Sequence, residues 1–207
     1  MIVLSHRGYW NTPSEKNTEI AFRHSFDLGY GTETDLRDCA GQLVISHDMP
    51  NGSEVRLEQF LGILQDKGLP LAINIKSDGM ALVLKEIFAT YQINNWFVFD
   101  MSIPDTRAHL NAGNPVFVRM SEVEQVPAWL EIATGVWLDG FDSVWYDADV
   151  VESLLKKNKK VCIVSEDLHL RDPIAQWEML SSINNPNLML CTDRPEQASE
   201  FFLGERR

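Results

Sequence analysis

Apolar residues along this chain fall in short runs, and the runs recur: "IVLSHRG", "GTETDLRD", "LAINIK", "WFVFD", "PVFVRMS", "GVWLDGF", "KVCIVSED" and "NLMLCTD". Between most of them lies a segment of roughly 10–15 residues whose apolar positions repeat at helical spacing. From Thr18 to Leu28, Phe22 stacks over Phe26 and Ala21 over Ser25, and Gly29 stops the pattern. Helix starts are marked by Ser102 as N-cap with Asp105 three residues on, by Asp172 followed by Pro173, and by Asp193 with Glu196.

Strand–helix alternation of this kind predicts a closed (β/α)8 barrel or an open doubly wound sheet. The open sheet normally carries a glycine-rich phosphate loop after its first strand. Here "HRGYWNT" follows that strand with a single glycine, and Gly29 and Gly31 precede a strand instead of opening a helix. Polar residues also collect at the C-terminal ends of the runs: His6, Arg7, Asp35, Lys76, Asp100, Arg119, Asp139, Glu166 and Asp193. In a barrel those ends form one mouth, where active sites sit. The expectation is therefore an α/β protein, a compact (β/α)8 TIM barrel spanning residues 1–207 as one domain. No linker, low-complexity stretch or longer repeat interrupts it.

Composition narrows the partners. With 44% hydrophobic and 23% charged residues the chain reads as an ordinary globular protein. No run approaches the 18 or so apolar residues of a transmembrane helix. The opening "MIVLSHRG" lacks the basic region and cleavage site of a signal peptide, so the chain is expected to be cytoplasmic and to start inside its first strand. A net charge of −12 argues against nucleic acid as a partner. An anionic substrate would need a local cation to reverse the field. Cys39, Cys162 and Cys191 are odd in number and widely spaced, which suggests neither disulfides nor a zinc site.

The chemistry concentrates between His6 and Lys76. Glu33 and Asp35 are two apart, so on a strand they share a face. Carboxylates facing a barrel interior are costly unless a cation meets them, and a convergent pair suits Mg²⁺ or Ca²⁺. Asn74 and Lys76 repeat the spacing on the next parallel strand. The Asn74 oxygen is a candidate third ligand, and Lys76 a candidate partner for a phosphate or for a carboxylate such as Asp35. His6 and Arg7 leave the first strand, and His47 follows the "GQLVIS" run. Two imidazoles flanking a bound anion suit general acid and base work near neutral pH, and Arg7 offers a fork of donors to phosphate. His24 and His109 lie inside helical segments and are assigned packing or solvated roles.

The ordered set "HRG", "NTEIAF", "ETD", "GQLVISHD" and "CTDRPEQA" resembles the glycerophosphodiester phosphodiesterases, metal-dependent (β/α)8 barrels. The resemblance is strongest over residues 2–48, weaker at 71–76 and present again at 188–198. It implies that His6 and His47 are the acid/base pair, that Arg7 and Lys76 serve the phosphate, and that Glu33 and Asp35 bind the divalent cation. It implies hydrolysis of a small or polymer-borne phosphodiester, with attack by the substrate's own neighbouring hydroxyl, through a cyclic phosphate, as one open route. The chain departs from the family pattern in four places. Asn74 stands where the family has a third metal-binding Glu, and Lys16 where a Glu is expected. The insertion after "HD" shrinks to "MPNGSEV", and "CIVSED" replaces a tryptophan-bearing segment, bringing Glu166 and His169 toward the mouth. Glu166 is a candidate to restore the lost carboxylate, and Lys16 to supply positive charge. Two other readings stand beside the enzyme: a degenerate barrel that binds phosphodiesters or sugar phosphates without turnover, and an isomerase or aldolase using Lys76 as base or Schiff-base amine.

Overall fold

A computed structural model describes residues 1–65 and 67–204. Each apolar run is a parallel strand: β1 (Ile2–His6), β2 (Gly31–Cys39), β4 (Leu71–Ile75), β5 (Trp96–Phe99), β6 (Phe117–Met120), β7 (Gly135–Leu138), β8 (Lys160–Val164) and β9 (Leu188–Thr192). The order in the sheet is β5-β4-β2-β1-β9-β8-β7-β6. Val98 of β5 bridges in parallel to Val116, the residue just before β6, and its N–H bonds the Pro115 carbonyl at 2.9 Å. This is the topology of a (β/α)8 barrel. Strands such as β4 and β9 are buried at every residue, as parallel strands covered on both faces must be.

The "GQLVIS" run forms a further strand, β3 (Gln42–Ile45), which folds back antiparallel on β2 with Leu36 opposite Ile45. Ala40 and Gly41 at the turn both have positive φ, the left-handed geometry of a tight hairpin.

The helices are α1 (Glu19–Asp27), α2 (Leu57–Leu64), α3 (Ala81–Thr90), α4 (Ile103–Ala112), α5 (Ala148–Lys156), α6 (Ile174–Ser181) and α7 (Pro195–Gly204). No helix follows β6. Residues 121–134 make the connection to β7 through turns alone, so one βα unit of the expected repeat lacks its helix. Helix α4 begins as its sequence predicts, with the Ser102 hydroxyl accepting from the Asp105 N–H, and ends at Gly113 with φ 76°. Helix α6 starts one residue later than predicted. Pro173 is already αR and occupies the cap position, while the Asp172 carboxylate accepts from the Ile174 N–H at 3.2 Å. The two helical histidines are packing residues: His24 stacks on Tyr9 at 4.2 Å, and His109 is fully buried against Asn114. Among the described residues no helix is long and apolar enough to cross a membrane.

The chain divides into two compact units, one of His6–Val116 and one of Met1–Ser5 with Phe117–Arg207. Each holds its own polar cluster at the C-terminal ends of its parallel strands.

Candidate functional site

The His6–Val116 unit brings six of the seven sequence-predicted residues into one cluster. Register does most of this. Asp35 of β2 pairs directly with Asn74 of β4, and Asn74 with Phe99 of β5. Glu33 and Asp35 then share a face, as the period of a strand requires, and both are buried, at 2% and 0% exposure.

Asp35 is the hub. Arg7 Nε stands 2.9 Å from Oδ2, with its N–H out of line, so the contact is ionic. Lys76 Nζ stands 3.3 Å from Oδ1, the carboxylate pairing that the sequence offered as one of its two roles. The amide of Asn17 donates to Oδ2 at 2.9 Å and accepts from the Thr34 hydroxyl at 2.8 Å. Asn17 had no assigned role in the sequence. The signal for it is a polar residue that tolerates φ of 60°, placed just before the Thr18 cap.

Arg7 is aimed by a strained turn. Its φ is 60° and that of Gly8 is 81°. The Arg7 N–H bonds the Glu33 carbonyl, and the Arg7 carbonyl accepts from Asn17. A Cβ on Gly8 would stand 2.7 Å from the Ala21 Cβ and 2.8 Å from its carbonyl carbon. Gly8→Ala is therefore expected to cost about 2–4 kcal/mol, from overpacking and the left-handed backbone together. Urea unfolding checks this, and a midpoint equal to that of the parent would refute it.

Glu33 is held differently. Its Oε2 lies 3.8 Å from His6 Nε2 and has no hydrogen-bond partner. Burial, and then the negative charge of Asp35, raise its pKa well above the ordinary 4.5, with Arg7 and Lys76 acting in the other direction. A raised carboxyl pKa contributes stability that is complete below 4.5 and is lost as pH rises through the folded-state value. In chelator, Glu33→Gln is thus expected to gain stability relative to the parent as pH rises from acid to neutral. Mg²⁺ or Ca²⁺ at neutral pH should narrow the gap by stabilising the parent. Thermal unfolding of both proteins across pH measures this, and parallel profiles would contradict it.

Asn74 completes the group. Its amide nitrogen donates to Asp100 Oδ2 at 3.2 Å, leaving its own oxygen buried and without a donor. Asp100, at φ 65° just past β5, therefore decides which way the amide faces. Asp100 is a strand-end residue whose part only the structure reveals. Glu33 Oε2 and Asn74 Oδ1 are buried acceptors without a hydrogen-bond donor, and Asp35 Oδ1 has only its ionic contact with Lys76. Such atoms are costly unless something else satisfies them, and a hard cation with oxygen ligands fits two carboxylates and an amide. Among the described residues no three His, Cys, Asp or Glu side chains converge as a metal site, so the fit depends on the amide.

His47 stands apart from this group. Its side chain is 46% exposed and its Nδ1 lies 2.8 Å from Asp48 Oδ1. Among the described residues its ring bonds to no member of the Glu33–Asp35 cluster. The backbone keeps it near, since the N–H of the preceding Ser46 bonds the Asp35 carbonyl, and Arg7 helps hold the Asp48 carboxyl below its ordinary range, after His47 itself. Lys16 lies over the Trp10 ring at 4.3 Å.

The other unit carries a second cluster. His169 Nε2 lies 2.8 Å from Asp139 Oδ1, and Arg119 Nη1 lies 3.4 Å from Oδ2 of the same carboxylate. Arg171 grips both oxygens of Glu166, at 2.6 and 2.8 Å, and donates to the carbonyls of Gly140 and Phe141. The Glu166 charge is thus already neutralised by a bidentate partner. That removes the ground for treating it as the missing metal carboxylate.

No family model matches the chain, and no curated protein matches it. Solved structures do. A glycerophosphodiester phosphodiesterase from Agrobacterium tumefaciens superposes with a TM-score of 0.72 at 15% identity, over 100% of this chain and 99% of that one. The chain shares that fold. A phosphodiesterase from Oleispira antarctica, solved with its product sn-glycerol-3-phosphate, aligns with a TM-score of 0.68 at 14% identity, over 97% of this chain and 96% of that one. The likeness in fold runs the length of the chain.

Proposed function

We propose that the His6–Val116 unit is the active site of a divalent-cation-dependent phosphodiester hydrolase, which converts a glycerophosphodiester or related diester to an alcohol and a phosphomonoester. The observation that carries this reading is the convergence of three buried oxygens on Glu33, Asp35 and Asn74, of which those of Glu33 and Asn74 accept no hydrogen bond and that of Asp35 meets only the Lys76 ammonium, beside Arg7 and the imidazole of His6. The phosphodiesterase barrels that share the fold support it.

Glu33, Asp35 and Asn74 would hold Mg²⁺ or Ca²⁺, which supplies Lewis-acid polarisation of a phosphoryl oxygen when bound. Arg7 and Lys76 provide the donors for the remaining phosphate oxygens. His6 and His47 handle the protons: one accepts the proton of an attacking water as the new P–O bond forms, and the other donates to the leaving oxygen as the old one breaks, which gives the alcohol and the phosphomonoester. Where the substrate's own hydroxyl attacks first, the same pair serves a second attack, by water, that opens the cyclic phosphate. Asp48, bonded to Nδ1, fixes the His47 ring and leaves Nε2 as the atom for transfer.

The test is release of free alcohol from a panel of glycerophosphodiesters with Mg²⁺, Ca²⁺ or EDTA, using His6→Ala as control. Cation-dependent release that disappears in the variant supports the reading. The alternative, binding without turnover, is favoured by one feature: Arg7 and Lys76 are both engaged with Asp35. Cation- and ligand-dependent stabilisation with no release from any diester would select it.

A further inference from the structure

The formal charges around the candidate cation site already cancel. Two buried carboxylates, Glu33 and Asp35, face the two cations Arg7 and Lys76, both of which are held on Asp35. Asn74 adds an oxygen but no charge. The affinity of a hard-cation site follows the charge of its ligands, so this set alone would hold a divalent ion weakly. A further carboxylate stands beside it, on Asp100.

Asp100 Oδ2 accepts from the Asn74 amide at 3.2 Å. Register brings the two together, since Asn74 pairs with Phe99 and Asp100 is the next residue. Glycine or asparagine would satisfy the φ of 65° at this position equally well, and neither would bring a charge. The segments that follow β4 and β5 are tied at two more points. The Ser102 hydroxyl donates to Asp78 at 2.8 Å, and the Gly79 N–H donates to Asp105 at 2.9 Å. The Asp100 charge also reaches Glu33, where it adds to the upward pKa shift that burial and then Asp35 chiefly cause.

Asp100 stands outside the ring of direct ligands: among the described residues no three His, Cys, Asp or Glu side chains converge as a metal site. It can act through the amide instead. A carboxylate that accepts from the amide NH₂ draws electron density toward the amide oxygen and makes it a better ligand. An ionised carboxyl at position 74 would have no N–H to give and would be repelled by Asp100.

We propose that Asn74 and Asp100 act as one composite ligand of the cation site. Asn74 contributes the oxygen, and Asp100, a positioning residue, contributes the negative charge and polarises the amide. The inference rests on the phosphodiesterase reading for its cation site, and not on turnover.

The experiment is Mn²⁺ binding to the full chain, Mn²⁺ being an oxygen-seeking probe for Mg²⁺. It is read from the loss of the free-ion EPR signal, with Asp35→Asn marking the binding that belongs to this site. Asp100→Asn keeps the backbone conformation and an acceptor for the Asn74 amide, so a merely structural role predicts no change. A loss of ~10–100-fold in affinity is expected instead, with the thermal midpoint in EDTA still at the parent's value. Asp100→Gly, which also removes the acceptor, should lose at least as much. Adding Asn74→Asp to Asp100→Asn exchanges the two groups and keeps both the charge and the hydrogen bond, so affinity should return to the parent's or exceed it. Unchanged affinity in Asp100→Asn, or no recovery in the exchanged pair, would overturn the proposal and leave the cation site standing. A parent that shows no Asp35-dependent Mn²⁺ binding would overturn both.

Discussion

Replacing His6 with alanine is expected to lower cation-dependent alcohol release by ~10²–10⁴-fold, the range over which a positioned acid or base acts. The ring ends β1 and is mostly buried, with Nε2 3.8 Å from Glu33. Removing it takes away a proton carrier without touching Asp35, whose contacts run to Arg7, Lys76 and Asn17. Cation-induced stabilisation should therefore survive in the variant. Measuring release and thermal shift on the same preparation separates the two effects. Release within about threefold of the parent would mean that His6 is not the proton carrier.

Asp35→Ala is expected to do more damage. The carboxylate is fully buried and is the partner of two cations. Removing one member of a buried pair strands the other, at a cost of about 3–5 kcal/mol. Arg7 and Lys76 are each about one-fifth exposed, so water softens the loss and about 2–4 kcal/mol is expected. The cation response should vanish as well. Asp35→Asn keeps the shape and Asn17 as a neighbour, so it tests the charge alone: stability falls less, and stabilisation by Mg²⁺ or Ca²⁺ is still lost. If the Asn variant kept that stabilisation, Asp35 would not be a ligand.

Much of this arrangement is readable in the sequence because parallel strands buried on both faces appear as bare apolar runs. A charge within such a strand then stands out, as Glu33 and Asp35 do in the buried part of β2. Asn74 is visible for the same reason. What decides its orientation is not, since Asp100 lies just past another strand, 26 residues away, and is placed by the β4–β5 register. Asn17 escapes because its role depends on a positive φ in a loop. The segment after β6 contains Val123, Val126 and Leu130 at spacings compatible with a helix, yet it folds as turns. Pro127 sits in the middle of it, where it would remove a helical N–H and clash with the preceding turn. His47 is legible as chemistry, but its degree of exposure is set by the hairpin and not by its neighbours in sequence.

The helix-free connection also offers a handle. Its base is clasped, because the Glu122 carboxylate accepts the N–H groups of Phe141 and Asp142 at 3.1 and 2.7 Å. Its tip is not: Val123 through Val126 are exposed, with Val126 at 85%. Exposed loop tips tolerate inserted sequence far better than element interiors do. A labelling cysteine at Val126 would therefore sit in the place of a βα connection, the class of loop that rims the mouth of a barrel. A probe there would report from that rim on the segment that Glu122 ties to Phe141.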